Sequence, residues 1–327
     1  MGECIMKTPK FWQKKEWRSN VLLPVSWIYR ALSLTDLTFK GLLAQSVSVP
    51  VISVGNVTAG GSGKTPVVMA LAGYFHEKGE KVAILSRGYG GKDKTCRKIA
   101  PYEHASDAGD EPVMMATEMP YVDVWVCPNR VKSANCAIKE GATLILLDDG
   151  FQHKKLKRTI DLVCIKSLGN SRMLPAGPLR EPLSVLKRAD AVIWTGAQKR
   201  QVSPHTFQIK SISTAPKTKT NKWVAFCALG APDHFFRSLR KSGAKLVETV
   251  TFADHATYAE AEEIMLQELA EKKGADLITT AKDAVKLSKP FMKHCTIAGH
   301  ELDPEGIQEL GEFLSEELKN KKKSKQV

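Results

Sequence analysis

No stretch of this chain holds the eighteen or so uninterrupted apolar residues that a membrane-spanning helix needs, so it is not expected to cross a bilayer. Its most apolar region, residues 11–43, is broken by Arg18, Asn20, Ser26, Arg30, Asp36 and Lys40. Pro24 and Arg30 also interrupt it as a signal peptide, and no Ala-x-Ala cleavage pattern follows. No Cys-x-x-Cys pair occurs among the seven cysteines, Cys4, Cys96, Cys127, Cys136, Cys164, Cys227 and Cys295. Scattered and odd in number, they exclude a zinc site and a disulfide framework and point to a reducing compartment. Nothing repeats at a fixed period, which removes solenoids and collagens. Aromatic residues are sparse at 7%, yet hydrophobic residues reach 43% of 327, enough for a packed core and too many for a disordered chain.

Positive charge is abundant but poorly placed for nucleic acid. Of the formal +13, nine units lie in residues 1–40 and in the tail Lys319, Lys321, Lys322, Lys323 and Lys325. A nucleic-acid binder concentrates its charge on one folded face among stacking aromatics, so no nucleic-acid partner is expected. Terminal lysines either solubilise or meet an anionic membrane surface. In the amino-terminal segment Val21, Val25, Ile28 and Leu32 recur at helical spacing, while Ser26, Arg30 and Ser33 take other positions. Trp12, Trp17 and Trp27, half of the six tryptophans, belong to a residue type that favours the headgroup level. An ordinary packed helix is the plain alternative; the Trp and Arg content predicts an amphipathic, membrane-associating segment over 1–40 that also helps admit a lipid.

The densest chemical signal follows a β-branched run over 47–54. Gly55-Asn56-Val57-Thr58-Ala59-Gly60-Gly61-Ser62-Gly63-Lys64-Thr65-Pro66 leads into a helical stretch. Strand, glycine loop and helix are the parts of a Walker A phosphate cradle. Glycines let successive N–H groups converge on phosphate oxygens, Lys64 reaches the β/γ-phosphates, and the Thr65 hydroxyl can ligate Mg²⁺. The first glycine of Gly-x-x-x-x-Gly-Lys-Thr falls on Thr58, and Thr58, Ala59, Gly60, Gly61, Ser62, Gly63, Lys64 and Thr65 form the expected nucleotide-binding loop. Such a loop needs a carboxylate at the end of a neighbouring strand. The apolar run 143–147 ends in Asp148-Asp149-Gly150, with Asp148 the better Mg²⁺ ligand and Asp149 beside it.

ATP is favoured over GTP, because the two Asn-Lys pairs, Asn221-Lys222 and Asn320-Lys321, lack the Asp of a guanine-reading motif. A dimerising ATPase with a deviant loop would carry lysine where Ala59 stands. An energy-coupling or metal-delivery NTPase and a non-catalytic scaffold remain the competing classes.

Further clusters narrow the choice. They are Ser86-Arg87-Gly88-Tyr89-Gly90, Gly109-Asp110-Glu111-Pro112, Asp148-Asp149-Gly150-Phe151-Gln152-His153, Leu174-Pro175-Ala176-Gly177-Pro178-Leu179-Arg180-Glu181-Pro182, Phe252-Ala253-Asp254-His255 and Lys282-Asp283-Ala284-Val285-Lys286. With the loop, and in this order, they resemble the tetraacyldisaccharide 4'-kinase family, the lipid A 4'-kinases of Gram-negative bacteria, over about residues 12–315. Ala281 departs from the acidic residue expected before Lys282, and the tail beyond Lys319 is unshared.

The resemblance implies transfer of the ATP γ-phosphate to the 4'-hydroxyl of a tetraacylated disaccharide 1-phosphate, giving lipid IVA at the cytoplasmic face of the inner membrane. It implies Asp110 as catalytic base and His255 as the histidine that pairs with it. Such a pair would titrate as one. Lys64 completes the catalytic set. Arg87, Glu111, Gln152 and Arg180 are the expected substrate contacts, with Arg130 and His153 as further candidates; no obligate protein partner is inferred.

Strands over 49–54, 82–86, 122–127, 143–147, 160–165 and 191–195 alternate with helices over 66–78, 111–118 and 129–140, predicting an α/β fold with a P-loop NTPase-type parallel sheet over 41–220. A polar linker over 214–222 leads to a smaller α/β unit over 221–327, ending in the basic tail. If Lys64, Asp110 and His255 share one site, it lies between the two units, which predicts closure on nucleotide binding.

Overall fold

The computed structural model describes residues 9–196, 200–218, 221–230, 232–253 and 256–324, with the backbone alone for 34–42. Strands form where apolar, often β-branched residues run unbroken, as burial on both faces of a parallel sheet requires. β1 (Val51–Asn56), β2 (Val82–Ser86), β3 (Arg97–Lys98), β4 (Asp123–Val126), β5 (Leu144–Asp148), β6 (Ile160–Ile165), β7 (Ala191–Trp194) and β8 (Thr206–Gln208) make one sheet in the order β3-β4-β2-β5-β1-β6-β7-β8. All neighbours are parallel except β3, which runs antiparallel to β4.

The amino-terminal segment forms α1 (Trp17–Val21) and α2 (Leu23–Leu42), and the crossovers of the large sheet carry α3 (Lys64–Glu77), α4 (Ala105–Ala108), α5 (Asp110–Glu118) and α6 (Arg130–Lys139). Alternation along each strand feeds two layers. Ile52, Val54, Ile84 and Leu146 pack with Val67, Val68 and Leu71 of α3 on one face. Val51, Leu85, Ile145 and Leu147 pack with Ala134 and Ala137 of α6 on the other. α3 starts two residues before its expected position, because Gly63, in the left-handed region at φ 75°, turns the chain directly into the helix.

β9 (Ser211–Thr214) leaves the large sheet, and residues 215–218 have no regular structure. Beyond them β10 (Lys222–Cys227), β11 (Lys245–Thr251), β12 (Asp276–Thr279) and β13 (Cys295–Ile297) form a parallel sheet in the order β11-β10-β12-β13. α7 (Pro232–Lys241), α8 (Glu260–Lys273), α9 (Ala281–Ala284) and α10 (Lys289–Met292) accompany it. β14 (Gly299–Leu302) returns to pair antiparallel with β9, and α11 (Pro304–Lys323) follows.

α11 lies against α3, placing Leu310 and Leu314, both wholly buried, in the core of the large sheet. Near its end the Lys321 ammonium meets the Asp190 carboxylate and the Thr159 carbonyl. Those residues precede β7 and β6, so the basic end of α11 sits at the sheet edge opposite the glycine loop. Leu310→Ala is expected to cost about 2–5 kcal/mol of stability. The shift of the urea unfolding midpoint measures it.

Candidate functional site

β1 ends at Asn56, and residues 57–63 turn the chain into α3 between two outside anchors. The segment 178–180 is the first. The Ala59 N–H donates to the Pro178 carbonyl at 2.7 Å, the Arg180 N–H donates to the Val57 carbonyl at 2.8 Å, and Thr58 bridges Leu179 in antiparallel fashion. Thr195, just past β7, is the second, its hydroxyl donating to the Ser62 carbonyl at 2.8 Å. Gly63 lies so close to Thr195 that a Cβ would press on it at 3.2 Å. Between the anchors Gly60 and Gly61 stand exposed. Lys64 opens the fourteen-residue α3 and Thr65 follows it, buried. The helix therefore aims the positive end of its dipole at the turn, which favours an anion there.

Parallel pairing sets Asp148, the last residue of β5, directly beside Val54 of β1. Asp148 is 3% exposed, and its Oδ1 has no hydrogen-bond partner among the described residues. Burial pushes its pKa up to about 7; Glu111 and Asp149 push the same way, while Lys64 and Arg130 oppose them. Asp149 takes a left-handed turn at φ 55° and comes back to the loop. Its Oδ1 lies 3.2 Å from Lys64 Nζ and its Oδ2 3.8 Å from Arg180 Nη1.

Asp110, buried, opens α5 right after Gly109, and Gly90 of the 86–90 cluster lies against its carboxylate. Glu111, next along, meets Lys282 Nζ at 3.2 Å, an ion pair between the first turn of α5 and α9, which follows β12 of the four-stranded sheet. Arg130 is buried, donates to the Cys127 carbonyl at 3.2 Å, and is near enough to Asp148 and Arg87 to interact with both. Arg87 is exposed. The Gln152 amide donates to the Asn56 carbonyl at 2.7 Å and to Glu181 Oε1 at 2.9 Å, leaving its own oxygen for other contacts. His255 lies outside the described residues.

The motifs mark neither Thr195 nor the partners of Lys282 and Glu181. Thr195 acts across 133 positions of chain with nothing beside it to mark it, whereas Lys282 opens the 282–286 cluster and reaches its partner across 171 positions. Glu181 is 2% exposed and binds both Gln152 and Arg188 Nη2, the latter at 3.1 Å. Its place inside the 174–182 cluster was the available signal.

Alongside Asp148 Oδ1, the buried Ser62 Oγ and Asn56 Oδ1 lack partners among the described residues. Orphaned polar atoms converging on a helix N-terminus are what a phosphate chain with a hard cation would satisfy. No group of three or more acidic, His or Cys side chains among the described residues forms a metal cage. Mg²⁺ does not need one, because it uses one or two protein oxygens and completes its shell with phosphate and water. A cleft of about 440 Å³ opens past the ends of β6 and β7, lined by Gln13, Lys166, Ser167, Leu168, Trp194 and Arg200, with no residue of the glycine loop in its wall.

Known proteins resemble this chain over nearly its whole length. The family described as tetraacyldisaccharide-1-P 4'-kinase matches residues 18–319. The chain belongs to that family. A tetraacyldisaccharide 4'-kinase of Parvibaculum lavamentivorans is 39% identical over 305 residues, covering 86% of this chain and 87% of the relative. One from Brucella suis is 37% identical over 297 residues, covering 86% and 85%. The crystal structure of an LpxK from Aquifex aeolicus in complex with ATP has a TM-score of 0.73 at 30% identity, covering 92% of this chain and 99% of that one. The stretch matched to the 4'-kinase family contains every candidate residue named above.

A carboxyl held neutral in the folded chain but ionised in the unfolded one lowers stability as pH rises from the unfolded value of 3.8 toward about 7. Asp148→Asn is therefore expected to raise the melting temperature of the ligand-free protein at pH 8 and to change it little at pH 4. Scanning calorimetry at the two pH values measures the difference.

Proposed function

We propose that this chain transfers the γ-phosphate of ATP to the 4'-hydroxyl of tetraacyldisaccharide 1-phosphate, giving lipid IVA in lipid A biosynthesis. One observation carries the reading: the glycine loop, Lys64 and the buried Asp148 carboxylate converge at one crest of the sheet, in a chain of the family named for that transfer.

Residues 58–65 cradle the phosphates through backbone N–H groups and the α3 dipole. Lys64 exchanges Asp149 for β/γ-phosphate oxygens. The Thr65 hydroxyl and Asp148 would hold Mg²⁺, with Asp149 beside them. Held there, such an ion would supply charge neutralisation to the transferring phosphate.

Asp110 accepts the proton of the 4'-hydroxyl at a carboxylate oxygen as the 4'-oxygen bonds to the γ-phosphorus and the bond from that phosphorus to the β,γ-bridging oxygen breaks, releasing ADP, and His255 pairs with it. Arg87 and Arg180 bring guanidinium groups to phosphate oxygens, while Glu111 and Gln152 orient the sugar. The units over 41–220 and 221–327 close over the reacting groups, excluding water that would otherwise take the phosphate. Support for the closing surface comes from the Lys282–Glu111 pair, which already joins them.

The amino-terminal helices deliver the lipid at the cytoplasmic face of the inner membrane. Trp17 and Trp27 are 69% and 68% exposed, and Val21, Val25, Ile28 and Leu32 are exposed with them. An apolar face of that kind, interspersed with Arg18 and Arg30, suits an interfacial helix. No helix among the described residues is long and apolar enough to cross a membrane.

Purified protein given γ-labelled ATP, Mg²⁺ and the tetraacyldisaccharide 1-phosphate should move label onto the lipid; ATP consumption without labelled glycolipid would overturn the reading. In the same assay Asp110→Asn should lower kcat about 100-fold or more while leaving apparent ATP affinity nearly unchanged, since the group acts in the transition state. The triple variant Trp17→Ser, Ile28→Ser, Leu32→Ser should lose co-sedimentation with anionic vesicles and retain ATP affinity.

A further inference from the structure

One short segment touches both the amino-terminal helices and the glycine loop. Residues 170–180 form a braced knot, in which the Leu174 N–H donates to the Leu179 carbonyl at 2.8 Å, Leu179 to Arg172 at 2.9 Å, and Gly177 to Met173 at 2.9 Å. One end of the knot holds the loop through the pairing of 178–180 with 57–59. Its other end is fastened to the start of the chain by buried polar groups.

Asn170, 5% exposed, stands at the centre of that fastening. Its backbone N–H donates to the Trp12 carbonyl at 2.7 Å. Its side-chain amide donates to the Ala176 carbonyl at 2.9 Å, Ser19 Oγ at 3.0 Å and the Phe11 carbonyl at 3.2 Å. Its Oδ1 accepts from the Arg172 N–H at 3.0 Å. Trp12 Nε1 donates to the Pro175 carbonyl at 2.9 Å, and Ser26 of α2 donates to the Met173 carbonyl at 3.0 Å and accepts from the Ala176 N–H at 3.2 Å. Ser19 and Ser26 are buried on the helices' inner side, opposite the exposed apolar residues. Gly177 is required here, because a Cβ would collide with Asn170 Oδ1.

We infer that Asn170 is a positioning residue for the phosphate loop: it fixes one strap to both the amino-terminal helices and residues 57–59, so the seat of the lipid-facing helices and the shape of the ATP cradle are set together. The groups it satisfies are buried and would be left without partners on its removal, so the knot holds or yields as a unit.

The inference rests on residues 58–65 binding ATP, and the test is ATP affinity by titration calorimetry in detergent, without lipid acceptor, alongside melting temperature. Asn170→Ala should weaken ATP binding roughly tenfold, the size of one lost hydrogen bond. Ser26→Ala should weaken it in the same direction, and Asn20→Ala, at an exposed position of α1, should leave it unchanged. A purely structural role would lower the melting temperature and leave ATP affinity at the wild-type value in the folded variants; that result overturns the inference. Equal weakening by Asn20→Ala also overturns it. If Asn170→Ala does not fold, Ser26→Ala decides alone. A wild-type chain that takes up no ATP overturns the kinase reading and this inference with it, whereas wild-type binding with unaffected variants overturns the inference only.

Discussion

Parallel pairing of β1 with β5 is the constraint on which the site depends. It aligns Val54 with Asp148, so the glycine turn leaving one strand and the carboxylate ending the other emerge at the same crest. Crests at the carboxyl ends of parallel strands are where α/β folds place ligands, because the crossover loops open there. A slip of one residue would exchange the two faces of each strand, sending Ile52 and Val54 away from α3 and turning Asp148 from the loop. The apolar layers on both faces hold that register against slippage, so the core aligns the chemistry while filling the interior.

Charge at the crest is arranged with one deliberate imbalance. Asp149 has Lys64 and Arg180, and Glu111 has Lys282, but Asp148 is buried with an oxygen left over. Stability alone would favour an apolar side chain at that position. Keeping a carboxyl there costs stability and leaves an unsatisfied oxygen at the crest, a trade common where function needs an unsatisfied group. Arg130, also buried, offsets part of the cost without occupying the carboxyl, and burial depresses its own pKa in turn.

The 174–182 cluster serves more than one purpose. Arg180 projects toward Asp149, Glu181 anchors Gln152 and Arg188, and the preceding turn fastens to Trp12, Ser19 and Ser26. Phosphate loop, carboxylates and amino-terminal helices thus share a single stretch of backbone. Trp17 and Ile28 are exposed on the same helices, while Trp27 lines a cavity with Met173 and Leu179 of that stretch, so a surface meeting these helices would press on elements already joined to the glycine loop.

Much of this was legible in the chain itself. The β-branched run before Gly55, the glycines through Gly63, Lys64-Thr65, and the apolar run ending at Asp148 are local patterns, and local pattern suffices where strand, turn and helix preferences are read from adjacent residues. The short β8, β9, β13 and β14, of three or four residues each, were not legible, because alternation over so few positions is indistinguishable from loop. Nor were Thr195 on the glycine turn, Lys282 on Glu111, or Asn170 among Phe11, Ser19 and Ala176. These are ordinary polar residues whose partners lie far along the chain, in most cases more than a hundred positions away. Sequence alone determined which segments form the glycine turn, its helix and the strand ending in Asp148; tertiary structure decided what holds them in place, because a hydrogen bond between distant residues depends on where the sheet brings the chain back.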